Sequence, residues 1–360
     1  MNHLSTSKFI CEILSYNITN YTIKSYKNVD WNRVVKITSN HLSIPALYYR
    51  LKERQLTKIV PKDLLNYFRE IYNQNKSRNI KILKQIDFLN TLLLKNNINF
   101  CFLKGAAVIC SKLYSNTKIR MLGDLDILVS KKDHKKTIKL LSDNEFNNKF
   151  NNYVENNQRH YPKLVNNKYI CAIEIHNRCF TNKKHLKTEN ILKNKIFINT
   201  YPILSYQDMI LHNALNYQIN DNANLYGTYG IKNMFESLQI IKKLDKKTLK
   251  HINENNHLNI NFAINNLFLK EFKYKNTILS NLQRLRLLLF LKFKILFKIQ
   301  NIIFSIFRIS KLYFRRIYDL TFSKSYRLEK RNSIINKKNI ASWIKKEIKQ
   351  LLRDINRDLI

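Results

Sequence analysis

The spacing of apolar residues changes between about residue 96 and residue 180, and this change limits the folds open to the chain. Upstream, apolar residues recur at helical spacing over 31–51 and 64–94, with Pro45 and Pro61 marking turns. Within the changed segment, short β-prone runs alternate with helical stretches, at 98–103, 106–114, 125–129, 134–141 and 169–176. Strands separated by helices predict an α/β core.

The remaining residues show helical patterns, so the predicted fold is α/β (α+β), with a small mixed sheet flanked by helices. The predicted regions are an N-terminal helical region at 1–95, an α/β core at 96–200, a helical region packed on that core at 201–275 and a basic amphipathic tail at 276–360. The cysteines are scattered and form no CxxC pair, which predicts reduced thiols in a cytoplasmic protein. The sequence shows neither a signal peptide nor a window of ~20 apolar residues for a spanning helix.

The segment Gly-Asp-Leu-Asp-Ile-Leu-Val at 123–129 places two carboxylates two residues apart at the start of a predicted strand. Side chains at this spacing share one face of a strand, so Asp124 and Asp126 point the same way while Leu125 and Ile127 point into the core. Such a pair can bridge two Mg²⁺ ions, which lie ~3.5–4 Å apart in two-metal sites. By itself the pair also fits a solvated strand end.

Two neighbouring segments favour a metal site. At Lys104 and Gly105 a strand ends and a helix opens, so backbone N–H groups and the lysine charge can face a phosphate. Glu174 is a lone carboxylate in an apolar strand, with His176 on the same face, and a buried carboxylate is costly unless it is paired or bound to metal. Together these segments predict a site for phosphoryl transfer.

This set of motifs resembles the uncharacterised bacterial nucleotidyltransferases of the DNA polymerase β superfamily. The resemblance is carried by Leu-Lys-Gly at 103–105, Tyr114, Arg-Met-Leu-Gly-Asp-Leu-Asp-Ile-Leu-Val at 120–129 and Glu-Ile-His at 174–176. It reaches back to Asp30-Trp31 and forward to the helix around His212, and so covers residues 25–245. The chain departs from the broader superfamily at Ala106, which follows Gly105 and offers no hydroxyl to a triphosphate.

The resemblance implies a polymerase β-like core and a role for each site residue. Asp124, Asp126 and Glu174 would be the catalytic, metal-binding carboxylates. The implied nucleotide-binding residues are Lys104, Gly105, Arg120 and His176. Arg120 would either hold the acidic loop or reach a phosphate. His176 would orient Glu174 or touch the acceptor, and a hydrogen-bonded core histidine is the equal alternative.

The predicted activity is therefore metal-dependent nucleotidyl transfer. The enzyme would use Mg²⁺ or Mn²⁺ to move a nucleoside monophosphate from an NTP to a hydroxyl acceptor, releasing pyrophosphate. A cell-surface polysaccharide precursor is the favoured acceptor pathway, and nucleic acid is a less favoured partner. The alternative is a non-catalytic protein that keeps the fold and binds polyanions or membrane surfaces.

A net charge of +39 fits a polyanionic partner, although the abundance of Lys, Asn and Ile also fits an AT-rich coding sequence. In the segment 282–316, polar residues recur every three or four positions among Leu, Ile and Phe. This pattern suits a helix packed on its own domain, a helix at the inner face of the membrane, or a helix bound to a partner protein. Residues 324–360 are predicted to form a cationic helical surface with Trp343 as an anchor.

Overall fold

The computed structural model describes residues 1–322 except 115, 149–158, 183–184 and 253, together with Lys345 and Lys349. The predicted anchor Trp343 and almost all of the predicted helical surface at 324–360 lie outside the described residues. The chain forms two compact units. The first comprises residues 1–225 and 229–284, and the second comprises 226–228 and the residues from 285 onward.

Helices fill the N-terminal region, as the helical spacing predicts. They are α1 (His3–Leu14), α2 (Asn20–Lys24), α3 (Trp31–Asn40), α4 (Ile44–Glu53) and α5 (Lys62–Lys95). Pro45 lies in the first turn of α4, where its missing N–H costs no helical hydrogen bond. Pro61 immediately precedes α5, so both prolines stand at helix starts.

The central region contains the sheet. Its elements are β1 (Phe100–Phe102), α6 (Lys104–Cys110), β2 (Asp124–Val129), α7 (His134–Asp143), β3 (Ala172–His176), α8 (Thr188–Asn194), β4 (Ile196–Ile198) and β5 (Tyr201–Ile203). Among the described residues the sheet has five strands in the order β3-β2-β1-β5-β4. It is mixed, because β2 runs parallel to β3 and β1 parallel to β5, while β1–β2 and β4–β5 are antiparallel. The predicted small mixed sheet flanked by helices is confirmed.

Two strands were not predicted from the sequence. β4 and β5 are three residues each and form a hairpin whose turn places Asn199 at a positive φ of 56°. Runs this short carry too little alternation to stand out from the helical patterns on either side. They extend the sheet on the side of β1 away from β2.

The long helix α5 fixes both ends of the segment that carries the acidic strand. Its buried Asn79 donates to the Arg120 carbonyl at 2.8 Å, and Asn75 donates to the same oxygen at 3.3 Å. Farther along α5, the Gln85 side chain donates to the Cys171 carbonyl at 2.8 Å and accepts from the Cys171 N–H at 3.1 Å. These amides hold the loop before β2 and the residue before β3 against one helix.

After β5 the described elements are helices. They include α9 (Tyr206–Leu215), α10 (Ala223–Tyr226), α11 (Ile231–Ile241), α12 (Lys246–Ile252), α13 (Asn256–Asn265), α14 (Ile278–Lys292) and α15 (Lys294–Phe322). Within the second unit, Arg286 of α14 hydrogen-bonds Gln300 of α15 at 3.0 Å through Nε. No helix in the described part of the chain is both long and apolar enough to cross a bilayer.

Candidate functional site

The predicted acidic residues come together on one face of β2 and β3. The parallel register pairs Asp126 with Glu174 and Leu128 with His176. Since alternate side chains of a strand share a face, Asp124 and Asp126 lie on the same side as Glu174 and His176. The other face holds Leu125 and Ile127 with their β3 partners, all buried, as the sequence predicts. The pattern of the strands therefore sets the site.

Asp126, Glu174 and His176 form the buried centre of this face, and we call these three residues the acidic cluster. Their ligand atoms all lie within 4.8 Å of one another. His176 Nε2 lies 2.8 Å from Asp126 Oδ1 and 3.4 Å from Glu174 Oε2. Asp126 is only 2% exposed and His176 only 1%, so neither group is solvated by bulk water.

Two lysines neutralise the carboxylates. Lys104 Nζ lies 2.5 Å from Asp126 Oδ1 and 4.0 Å from Glu174 Oε2. Lys163 Nζ lies 2.8 Å from Asp124 Oδ2 and 3.3 Å from Glu174 Oε1, so it joins the outer aspartate to the acidic cluster. Lys104 carries a positive φ of 46°, an uncommon conformation for a residue with a side chain.

These contacts keep the buried carboxylates ionised. Burial alone would raise the pKa of Asp126, but the His176 hydrogen bond and the Lys104 charge outweigh it and hold that pKa well below its usual range. Burial and the nearby Asp126 would raise the pKa of Glu174 as well, but the His176 hydrogen bond and the Lys104 charge lower it overall. Lys163 has a raised pKa, chiefly through its hydrogen bond to Asp124. The site thus holds concentrated negative charge balanced by cations.

The sequence interpretation did not identify Lys163 as a site residue. Residues 159–165 run antiparallel beside β3, with Tyr161 N–H donating to the Ile175 carbonyl at 2.8 Å and a bridge between Leu164 and Ile173. The same segment brings His160 to within 5.1 Å of His176, ring centre to ring centre. A single lysine in a chain this rich in lysine gives no signal of its own, since only the pairing with β3 brings it to the carboxylates.

Gly105 and Arg120 lie against each other behind the site. A Cβ on Gly105 would come within 2.9 Å of the Leu122 Cβ and 3.4 Å of the Arg120 guanidinium, so close packing accounts for this glycine. Arg120 is buried, ion-paired with Glu236 of α11 and bonded to the Met121 carbonyl. The guanidinium therefore ties the loop before β2 to α11, and contact with a phosphate stays a prediction.

Two further titratable side chains are Lys232, which lies near Arg120, and His212, which lies near Lys104 and the acidic cluster. Lys232 precedes Glu236 by one helical turn and so shares its face of α11, and it forms no ion pair with any described residue. The nearby Arg120 charge, followed by burial, lowers the pKa of Lys232. His212 of α9 is buried, and burial followed by the Lys104 charge lowers its pKa to about 3.

The donor set of the acidic cluster fits a divalent cation. Mg²⁺ and Mn²⁺ take carboxylate oxygens, and an imidazole nitrogen is a common ligand for transition metals. The ring nitrogen that faces both carboxylates is His176 Nε2, while the buried Nδ1 has no partner among the described residues. Asp124 lies outside the group of three and is bound to Lys163 instead. Its predicted place as a ligand stays a prediction.

The comparisons with known proteins agree with this geometry. A family model described as an uncharacterised nucleotidyltransferase matches residues 27–253, which include the whole sheet and the acidic cluster. No curated protein matches the chain. Since the match covers more than half of its residues, the chain belongs to this nucleotidyltransferase family and is a transferase.

Proposed function

We propose that this nucleotidyltransferase moves a nucleoside monophosphate from an NTP to a hydroxyl acceptor and releases pyrophosphate, with Asp124, Asp126 and Glu174 as its catalytic carboxylates. The observation that carries the proposal is the acidic cluster, which keeps ionised carboxylates out of bulk water. The chain that holds it belongs to a family of nucleotidyltransferases. Buried carboxylates whose pKa values are shifted by burial and by specific charged partners are candidates for functional sites.

The residues that would hold a divalent ion are Asp126 and Glu174, with Asp124 completing the set from the same face of β2. When bound there, Mg²⁺ or Mn²⁺ supplies positive charge to the triphosphate and to the leaving pyrophosphate. In the transfer, the acceptor oxygen bonds to the α-phosphorus as the α–β phosphoanhydride bond breaks. A carboxylate of the site takes the hydroxyl proton.

The lysines have a second role in this proposal. Lys104 and Lys163 now neutralise the carboxylates, and a metal ion would take over that task. The ammonium groups would then be free to turn to the phosphate oxygens. Lys232, which has no ion pair with a described residue, adds a further cation beside Arg120. We propose these four side chains, with Gly105 and His176, as the nucleotide-binding side of the site.

The acceptor we propose is a precursor of a cell-surface polysaccharide. The support is the apolar and basic C-terminal part of the chain, which suits work close to a membrane. Nucleic acid is the less favoured acceptor, because C-terminal helices that work close to a membrane would not require contacts with bases or with nucleic-acid phosphates.

The test replaces Asp124 and Asp126 together by asparagine and follows pyrophosphate release and label transfer from each of the four NTPs with Mg²⁺ or Mn²⁺. We expect turnover to disappear while the circular dichroism spectrum stays unchanged. The matched control is Asp143→Asn with Glu145→Gln, which removes two exposed carboxylates of the same unit. Turnover that survives the first double substitution would overturn the proposal. Salt-dependent binding of polyanions without any turnover in the unsubstituted protein would instead favour the non-catalytic alternative.

A further inference from the structure

The second unit exposes an unusual amount of apolar side-chain surface. We call the exposed apolar side chains of residues 295–322 the α15 apolar face. It includes Ile295, Ile299 and Ile302, and it continues through Ile306 and Phe307, which are 56% and 70% exposed. The four isoleucines recur every three or four residues, with Phe307 next to the last of them, so they form one continuous side of the helix. Large apolar patches on a soluble surface mark interaction sites.

Beyond Phe297, the buried positions described in the same helix are polar, which is the reverse of a helix packed in water. Phe297, Asn301 and Ser305 face inward at four-residue spacing, and both polar residues are 0% exposed. The amide of Asn301 and the hydroxyl of Ser305 have no hydrogen-bond partner among the described residues. Gln300 is bonded to Arg286 at 3.0 Å and to the Tyr226 carbonyl at 2.9 Å. A helix with polar atoms inside and apolar atoms outside is suited to an apolar environment.

The charge of these helices identifies which apolar environment. Residues 285–318 contain eight Lys and Arg residues and no Asp or Glu. Lys292, Lys294 and Lys298 are exposed beside the α15 apolar face. A second copy of the chain would bring two positively charged surfaces together, whereas an anionic lipid surface complements both the apolar groups and the lysines.

We propose that the α15 apolar face docks on a bilayer that contains anionic lipids. The helix lies in the plane of the interface, with Ile306 and Phe307 among the acyl chains and Lys294 and Lys298 at the headgroups. This geometry agrees with the finding that no described helix is long and apolar enough to span a membrane. The proposal does not depend on the nucleotidyl transfer proposed above, because it concerns a surface that contains none of the carboxylates.

The experiment measures sedimentation of the full chain with phosphatidylcholine vesicles, with and without phosphatidylserine. We expect binding to the anionic vesicles, weakened by salt. Ile306→Glu with Phe307→Glu should reduce the affinity at least tenfold, because two negative charges enter the lipid-facing side. The matched control, Tyr21→Glu with Ile80→Glu, changes two exposed apolar residues of the first unit and should bind as the unsubstituted chain does.

A second variant keeps the test valid should the first one misfold. Lys294→Gln with Lys298→Gln leaves the apolar groups in place and should weaken binding to anionic vesicles while removing part of its salt dependence. Equal binding to neutral and anionic vesicles would overturn the proposal, as would unchanged binding by the glutamate variant. Self-association that the glutamate variant abolishes, without any vesicle binding, would assign the face to a second copy of the chain.

Discussion

The acidic cluster and the helix α15 treat buried polar atoms in opposite ways. In the cluster, Asp126 and Glu174 are buried but face His176 and Lys104 at hydrogen-bonding or ion-pairing distance. In α15, Asn301 and Ser305 are buried without any partner among the described residues, while the outward side is apolar. In the acidic cluster, the cationic and hydrogen-bonding partners stabilise buried negative charge inside a unit whose surface is in water.

The difference shows what each region is built to meet. Buried carboxylates with cationic partners are arranged for a ligand that can replace those partners, such as a metal ion with phosphates. An apolar outward side has no use in water and gains free energy only when something covers it. The two regions thus point to two kinds of binding, one to a polyanion through a small charged site and one to an extended apolar surface.

The sharpest contrast between the regions is in catalysis. Asp126→Asn should lower NTP turnover by about 10³-fold, because under the proposed function it removes a charge that would act on the transferred nucleotidyl group. Ile306→Glu with Phe307→Glu should leave turnover in vesicle-free buffer within about twofold, since both residues belong to the second unit and the proposed catalytic carboxylates to the first. Initial rates of pyrophosphate release measure both effects. A comparable loss in the α15 variant would remove the distinction between the two regions.

The buried ion pair behind the cluster should be expensive to break. Arg120→Met leaves Glu236 charged and buried, so we expect the free energy of unfolding to fall by about 3–5 kcal/mol. Adding Glu236→Leu should recover much of this loss, because no unpaired charge is then left behind. Urea denaturation measures the changes. Lys168→Met, which breaks the exposed pair with Glu145, is the control and should leave the unfolding midpoint unchanged. A similar midpoint shift in the control would contradict the expected role of burial.

The stability of the first unit should depend on pH through His212, whereas residues 285–322 contain no histidine. The pKa of His212 is about 3 in the fold against an ordinary value of 6.5, so below pH 6.5 the unfolded chain binds a proton that the folded chain does not. Unfolding free energy should then decrease as pH falls, by up to about 1.4 kcal/mol per pH unit. His212→Phe should flatten this slope in denaturation curves between about pH 7 and about pH 5, where the histidine titrates in the unfolded state. An unchanged slope would show that His212 is not the group responsible.

The smallest effect concerns the polar interior of α15. Asn301→Leu removes two unpartnered buried polar atoms, so we expect the second unit to become more stable by about 1–2 kcal/mol. Gln300→Leu, one residue earlier, removes the bonds to Arg286 and Tyr226 and should destabilise that unit. Hydrogen exchange of the α15 amides measures both changes. Stabilisation by both substitutions would mean that the contrast between partnered and unpartnered polar groups has no energetic basis here.

The sequence predicts the inner part of the site well, because the signal there is local. Asp124 and Asp126 lie two apart in an apolar run, and Glu174 stands out as a carboxylate in a second one. Alternation along each strand is enough to put these residues on one face. The alternation does not determine the register that pairs Asp126 with Glu174, since that register depends on how two segments distant in the sequence align.

The partners of the charged groups were the part that sequence reasoning missed. Lys163 reaches Asp124 only through the pairing of residues 159–165 with β3, and Glu236 reaches Arg120 from a helix more than a hundred residues away in the chain. Nothing in the spacing of either residue indicates these contacts. In α15 the polar stripe was visible in the sequence, but which side of the helix faces inward depends on packing. The boundaries predicted at 95, 200 and 275 stay predictions.

The helix α5 has a consequence for how this chain can change length. Asn75 and Asn79 hold the loop before β2, and Gln85 holds the residue before β3. One helix therefore sets the position of β2 relative to β3 along the helix axis. Each residue inserted between Asn79 and Gln85 would rotate the Gln85 side chain by about 100° relative to the two asparagines and move it about 1.5 Å along the helix axis. Insertions and deletions in this stretch should therefore be poorly tolerated, because even about seven residues, which restore the helical phase, shift one set of contacts by about 10 Å along the axis. A helix outside the site thus fixes the distance between the carboxylates of β2 and the carboxylate of β3.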